Sequence, residues 1–408
     1  MSTPGSAPYT IISADCHAGA NHETYREYLD PAFIEDFDAW RNKYKNPWKD
    51  LRDTDLRVRN WDDDRRDNDQ LTDGIVGEVL FPNTVPPFYP GFVLFAGPPK
   101  DEDYAHRRAG IKAHNRWLVD FCARKPHQRA GVGQIFLNDI DDAIEDATWI
   151  KENGLRGGVL LPNVPPDVNW VRPVYDRDYD RLWAALQDLD IPVNLHGGTG
   201  SPNYGRHAAT PMIMITEVPF YSVRPFVHML LAGVFERFPR LKFVMTENGA
   251  GTLPGIIDNL DRIIHNVRKG EIGELKFTED NALPRSATEY FQQNCYVGAS
   301  FPGPVDAKVR TLCGPGRFMW GSDYPHDEGS APFSREHLRQ VFSEVGEAEM
   351  RDILAGNAAK LYGFDLEALA PLAAQWGPTV AEIATPLHQL PDNPNSALLK
   401  GVDQLALV

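Results

Sequence analysis

The sequence is poor in cysteine and in cationic residues for its length. Cys16, Cys122, Cys295 and Cys313 are the only four in 408 residues, and they lie too far apart for the paired spacing of a zinc finger. Lys and Arg number 41 against 57 Asp and Glu, a formal net charge of -16. That balance argues against a nucleic-acid surface, which needs clustered positive charge. Long apolar runs are missing too. The most apolar stretch, "FVHMLLAGVF", falls well short of the roughly 20 residues that span a bilayer. The opening "MSTPGSAPYT" has no basic region followed by an apolar core, so no signal peptide is expected. No glycine-rich phosphate loop follows the first strand candidate, which weakens a dinucleotide-binding sheet. These absences leave a reduced, cytoplasmic enzyme, with neither nucleic acid nor membrane as partner.

What is present is alternation. Eight short apolar segments, "TIISAD", "GEVLFP", "GVGQIFL", "RGGVLLP", "IPVNLHG", "LKFVMTE", "NCYVGAS" and "RFMWGSD", each end in Gly, Pro or a polar residue, as buried parallel strands do. Helical patterns separate them. In "DIDDAIEDATWIKENG" the residues Ala143, Ile144, Ala147 and Ile150 share one face, and in "YDRLWAALQDLD" Leu182, Trp183 and Leu186 do the same. Eight such units predict an α/β fold, a (β/α)8 TIM barrel, in one domain spanning 1–408. Residues 25–73 read as an insertion after strand 1, "GGTGSPNYGRHAATPMIMITEVPFYSVRPF" as another after strand 5, and 366–408 as a C-terminal extension. Long loops after barrel strands sit on the face that carries active sites.

Polar residues gather at the strand ends. Side chains on a strand alternate, so Asp15 and His17 point one way and Cys16 the other. His196 ends "VNLHG", Glu247 ends "FVMTENG" at its polar turn, and Asp323 ends "FMWGSDYPH", with His326 three residues on. Any one buried Asp or His is more readily explained as a hydrogen-bonded structural group. Four strands ending this way require that explanation several times over, and carboxylates with imidazoles suit a first-row metal. With Asp15, Glu247 and Asp323 ionised and the histidines neutral, one divalent ion leaves a charge of about -1 and two about +1. Charge therefore leans toward two ions, with iron or manganese slightly ahead of zinc.

The motifs "SADCHAG", "DGIVGEVLFPN", "GLRGGVLLP", "IPVNLHGGTG", "LKFVMTENGAGTLP", "MWGSDYPHDEG" and "NAAKLYGFD" resemble, in content and in order, the amidohydrolase-related TIM-barrel metalloenzyme family. The resemblance runs from Tyr9 to Asp365 and implies that Asp15, His17, His196 and Asp323 bind metal. Two positions depart from the family: Glu247 stands where its decarboxylases usually carry His, and Asp15 where its hydrolases commonly do. With the tail "FDLEALAPLAAQWGPTVAEIATP" included, the pattern is similar to a narrower actinobacterial branch that contains the non-haem diiron monooxygenase of platensimycin and platencin biosynthesis. That branch implies two irons held by Asp15, His17, His196, Glu247 and Asp323, with His326 as a further candidate. It also implies O₂ and an electron donor, a bulky apolar acyl substrate or its CoA thioester, and a homodimer. The expected activity is hydroxylation by an oxidoreductase, with Glu247, Asp323 and His196 as catalytic residues. The alternative keeps the same site for one Zn or Mn ion, with Glu247 as general base, in hydrolysis or non-oxidative decarboxylation. A non-catalytic barrel is disfavoured by ligand-type residues at four strand ends.

Other residues carry weaker expectations. Asn83, at the end of strand 2, and Phe88, Tyr89, Phe92 and Phe95 beyond it are candidates for the substrate pocket. Arg57, Arg59, Arg65 and Arg66 could meet phosphates, although the interleaved acids favour a solvated, self-paired surface. His228 and His22, His106, His114, His207 and His265 read as ordinary packing or surface histidines.

Overall fold

The structure is a computed structural model that describes residues 7–45, 57–90, 96–314 and 316–392. Its eight barrel strands are β1 Ile12–Ala18, β2 Gly77–Pro82, β3 Arg129–Gln134, β4 Gly158–Leu160, β5 Pro192–His196, β6 Lys242–Thr246, β7 Cys295–Ser300 and β8 Phe318–Gly321. All eight coincide with the expected segments. They pair in parallel in chain order. The sheet closes where β8 returns to β1: Asp323 N–H donates to Asp15 O at 2.9 Å and His17 N–H to Tyr324 O at 2.7 Å. The two strands approach so closely that a Cβ on Gly321 would stand 2.7 Å from the Asp15 Cβ. A (β/α)8 barrel is the fold.

The core has two layers, as buried parallel strands require. Ile12, Ala14, Val79, Phe81, Val132, Val244 and Met319 fill the inside of the barrel, and Tyr362 and Phe364 join them beneath the strand starts. Outside, Cys16, Trp117, Phe121, Ile150, Trp183, Phe226 and Phe243 pack strands against helices. β1 belongs to both patterns. Ile12 and Ala14 point inward, yet so do Asp15 and His17, because the β1–β2 register slips between Ser13 and Cys16. Such an irregularity re-aims the side chains that follow it. Cys16 faces outward, its Sγ 3.6 Å from Gln70 Oε1, and serves packing as its parity predicts.

The insertion after β1 is more ordered than its polar composition suggests. It forms α1 His22–Tyr28, α2 Ile34–Lys43 and α3 Asp63–Thr72. The second half of the insertion after β5 is helical too: after a loop, Thr210–Leu231 forms a long helix despite Pro219 and Pro225. The tail forms a helix at Leu366–Trp376. Among the described residues no helix is long and apolar enough to cross a membrane.

Candidate metal centre

The residues at the strand ends converge at the carboxyl-terminal mouth of the barrel. Asp15 is fully buried. Its Oδ1 lies 3.4 Å from His17 Nε2 and 3.3 Å from His196 Nε2, and its Oδ2 accepts a hydrogen bond from Ser300 Oγ at the end of β7. Asp323, also fully buried, lies 3.1 Å from His17 Nε2 and 2.8 Å from His326 Nδ1 through the same Oδ1. Glu247 completes the ring, its Oε2 3.5 Å from His196 Nδ1. Asp15, His17 and His196 bring one ligand atom each within 4.8 Å of one another, and so do His17, Asp323 and His326.

Electrostatics separates the three acids. Burial pushes Asp15 up, but the facing His196, its hydrogen bond with Asp15 and the nearby His17 outweigh it and hold the carboxyl well below its usual range. Asp323 follows the same pattern: burial opposes ionisation, and His326 and His17 more than reverse it. Glu247 has no cation strong enough to compensate. Burial, then repulsion by Asp323 and Asp15, lifts it well above the carboxylate range. His17 is raised in turn, because its two carboxylate neighbours overcome the cost of burying charge.

The backbone is strained where these acids sit. Glu247 and Asp323 have φ of 55° and 61°, the left-handed region that non-glycine residues seldom adopt. Each is the residue that turns its chain out of a strand end and over the mouth. Gly197, beside His196, must lack a side chain, since a Cβ there would lie 2.0 Å from Glu247 O.

Two atoms test whether the set fits a metal. His17 Nε2 and Asp323 Oδ2 are buried without a hydrogen-bond partner. Nε2 has carboxylate oxygens 3.1 and 3.4 Å away, but they do not meet it in hydrogen-bond geometry. Buried donor atoms that lie close together yet lack partners are what a cation-binding set presents. The spacings suit an ion bound at about 2.0–2.2 Å from nitrogen and oxygen. The donor set of imidazoles and carboxylates without thiolate fits a divalent first-row metal.

Of the pocket candidates, Asn83 lies at the ring's edge: its Oδ1 is 3.1 Å from His326 Nε2, and its Nδ2 donates to Asn60 Oδ1 at 2.6 Å. Tyr89 lines the cavity above. Phe88 does not. It packs among Phe33, Phe37, Trp40 and His106 in the insertion's own aromatic cluster, because its positive φ of 65° turns the chain there. Phe92 and Phe95 lie outside the described residues. Arg66, expected on a solvated surface, is instead 1% exposed and ion-paired to Glu78 at 2.5 Å, and its Nη1 donates to His17 O at 2.8 Å. Arg65 pairs with Asp69 on the surface of α3, and Arg57 and Arg59 line the cavity.

Sequence reasoning missed Ser300, Asn60 and Glu328. Ser300 was discoverable as the last residue of a strand. Asn60 reaches the site from the insertion, and no local pattern marks it. Glu328 is exposed but can approach Glu247 and Asp323. The cavity these residues floor measures about 1480 Å³. Phe81, Phe136, Leu161, Val168, Met214 and Val218 are among its apolar walls.

Known proteins share this architecture. The structure of amidohydrolase map2389c from Mycobacterium avium subsp. paratuberculosis is 19% identical with a TM-score of 0.64, covering 89% of this chain and 100% of that one. Dihydroxybenzoic acid decarboxylase from Polaromonas sp. JS666, solved with manganese and 2-nitroresorcinol, is 19% identical with a TM-score of 0.59, covering 87% and 97%. Among curated proteins, decarboxylase orsB of Emericella nidulans is 36% identical over 81 residues, 18% of this chain and only 24% of that protein. These relatives are decarboxylases and an amidohydrolase, lyases and hydrolases by name. They overturn the expectation that the enzyme is an oxidoreductase. Residues 14–364, from within β1 to beyond β8, match the sequence model described as Amidohydrolase, and the chain belongs to that family.

Proposed function

We propose that the protein is a metal-dependent, non-oxidative decarboxylase that replaces a carboxylate on an apolar acid by a proton. The observation that carries this reading is the pair of unpartnered buried atoms, His17 Nε2 and Asp323 Oδ2, in a ring whose His17, His196 and Glu247 line a large and mostly apolar cavity. The reaction releases CO₂ and takes up one proton at carbon, so it needs no oxidant. Decarboxylases among the relatives, one of them with manganese, support the same chemistry.

Asp15, His17, His196 and Asp323 would hold one divalent ion, manganese or zinc. A single site is favoured at the two triads that contain histidine, because they share His17, while a third group, Glu247, Asp323 and Glu328, is all carboxylate. His17 Nε2 has one lone pair, and its Nδ1 faces Pro82 O at 3.4 Å. When bound, the ion supplies a Lewis acid that orients the substrate carboxylate and offsets its charge. Glu247, which lines the cavity beside His196, is placed to serve as a proton donor. His326, gripped between Asp323 and Asn83, is the second group positioned to move a proton. The apolar walls exclude water from the site.

The test uses protein stripped with EDTA and reloaded with Mn²⁺ or Zn²⁺, incubated under argon in D₂O with aromatic and alkyl carboxylic acids. Release of CO₂ that requires metal, proceeds equally without O₂ and leaves one deuterium on the product carbon is the expected result. Absence of CO₂ with either metal, together with cleavage of esters or amides that incorporates ¹⁸O from water, would replace the decarboxylase by the hydrolase reading.

A further inference from the structure

Three arginines are buried among the described residues: Arg66, Arg107 and Arg129. Arg66 and Arg129 both pair with Glu78. Arg107 is different. It lies in the helix Asp101–Ala123 that follows β2, is 5% exposed and lines the large cavity. Among the described residues no carboxylate pairs with it. Its Nη1 donates to Gly97 O at 2.7 Å, and its guanidinium lies 4.2 Å from the Tyr89 ring centroid and 5.5 Å from that of Phe136. Its Nε is buried with no acceptor. A guanidinium keeps its charge at any working pH, and burying it without a counterion is costly. The two aromatic faces offset only part of that cost.

A second unmet donor lines the same cavity. Gln134 ends β3, is 5% exposed and lines the cavity, and its Nε2 is likewise buried without an acceptor. The arc of β2, β3 and β4 runs between β1 and β5 and supplies none of Asp15, His17, His196, Glu247 or Asp323. The unmet donors therefore come from other elements than the five residues of the metal ring, although Asn83 at the end of β2 reaches the ring's edge. A volume of about 1480 Å³ also exceeds the roughly 300–1,000 Å³ of an ordinary small-molecule site.

We propose that Arg107 and Gln134 form an anion subsite for a second acidic group on the substrate, so that the substrate is an extended apolar molecule with an anion at each end. One end carries the carboxylate that reacts at the metal ring, and the other carries an oxyanion that Arg107 and Gln134 receive. A planar carboxylate matches the guanidinium edge best. This inference rests on the decarboxylase reading for the first end only.

The experiment measures binding by calorimetry to the full chain, loaded with Mn²⁺ or treated with EDTA. The probes are linear α,ω-dicarboxylates from octanedioate to hexadecanedioate and the monocarboxylates of equal length. The best dicarboxylate should bind about tenfold or more tightly than its monocarboxylate, the gain expected of a charge-assisted hydrogen bond. Arg107→Met should abolish that gain and leave monocarboxylate affinity and Tm unchanged, while Arg107→Lys should restore part of it. EDTA treatment weakens both acids alike if a carboxylate sits at the metal ring. Failure of that reading would appear as indifference to metal, with the Arg107-dependent gain intact. No gain in the unmutated protein, no binding of either acid, or an equal loss of both in Arg107→Met would overturn the subsite. Should Arg107→Met not fold, Gln134→Leu replaces it, with an expected loss of roughly threefold in the dicarboxylate alone; an unchanged gain there overturns the proposal equally.

Discussion

Two clusters of buried charge sit on the same barrel and obey opposite rules. In the first, beside β2 and β3, Glu78 Oε2 accepts from Arg66 at 2.5 Å and from Gln70, and Oε1 accepts from Arg129 at 3.1 Å. Arg129 also pairs with Asp63 at 2.7 Å. Asp63 pairs with Arg124 at 2.7 Å as well, so three guanidinium groups face two carboxylates. Burial pushes Glu78 up, but the arginines pull it below its ordinary value. In the second cluster, at the mouth, Asp15, Glu247 and Asp323 face imidazoles, and buried lone pairs are left over. The first cluster finds its counter-charges within the chain, although Arg66 Nε and Asp63 Oδ1 are buried without a hydrogen-bond partner, and paired charge is how buried ions are retained structurally. The second sets three acids against imidazoles alone, with no arginine or lysine paired to them among the described residues. That contrast separates a structural network from a functional one more sharply than burial or residue type does.

Breaking the cluster at the mouth should abolish function and spare the fold. Asp323→Asn removes a charge that faces Asp15 across His17, so like-charge repulsion falls while metal affinity is lost. Activity should drop by more than the roughly 100-fold that loss of a supporting residue around a metal costs. Metal content by mass spectrometry should fall with it, and the Tm of the EDTA-treated protein should hold or rise. Breaking the first cluster should do the reverse. Glu78→Gln leaves the buried Arg66 without its acid and Arg129 with Asp63 alone, at a cost of about 3–5 kcal/mol. For a chain of this size the expected fall in Tm is on the order of 5 °C, measured by calorimetry, with metal content unchanged. A Glu78→Gln protein that kept its Tm, or an Asp323→Asn protein that unfolded, would dissolve the distinction.

The sequence was most informative where a residue's role follows from its place on a strand. Eight apolar segments were enough for the barrel, and parity was enough to bring Asp15 and His17 to one face. Ser300, Glu247 and Asp323 share the same logic of strand ends, although only the latter two stood out by charge. What parity cannot supply is the bulge in β1, because Ile12 and Ala14 lie on the same face as Asp15 and His17 only after the register slips. Contacts from the insertion were hidden as well. Arg66 and Asn60 lie in a run so rich in charge that a solvated surface was the natural reading, and only packing of α3 against the barrel takes Arg66 out of water. Phe88 failed for a related reason: aromatic residues after a strand end can face either the cavity or the insertion, and backbone sign at one residue decides. Arg107 and Gln134 were invisible, since an unmet donor is a property of the surroundings and not of the residue.

Asp73 offers a third case that sharpens the comparison, with the smallest effect. This buried acid caps the end of α3 and forms no ion pair among the described residues, with Arg335 only a weak influence on it. It accepts instead from Ser334 N–H at 2.8 Å and from the Ser334 hydroxyl, tying the insertion to the helix Ser334–Phe342. Burial pushes its carboxyl up to about 7, and the two hydrogen bonds only partly oppose this. Its unfolded value is about 3.9, so between those two limits the folded chain binds the extra proton. The stability it contributes is therefore fully present below about pH 4 and is lost as pH rises through about 7. Asp73→Asn keeps the shape and the Ser334 contacts but removes the titration. Subtracting the variant's Tm change between pH 5 and pH 8 from that of the unmutated protein isolates this one group, since the metal ring titrates equally in both. The unmutated protein should lose more Tm over that interval, by about 1–2 °C, as expected for a pKa displacement in a chain of this length. Equal slopes would mean that two hydroxyl and amide donors can hold a buried carboxylate ionised without a cation, and the rule that separates the two larger clusters would have to be narrowed to sites with more than one acid.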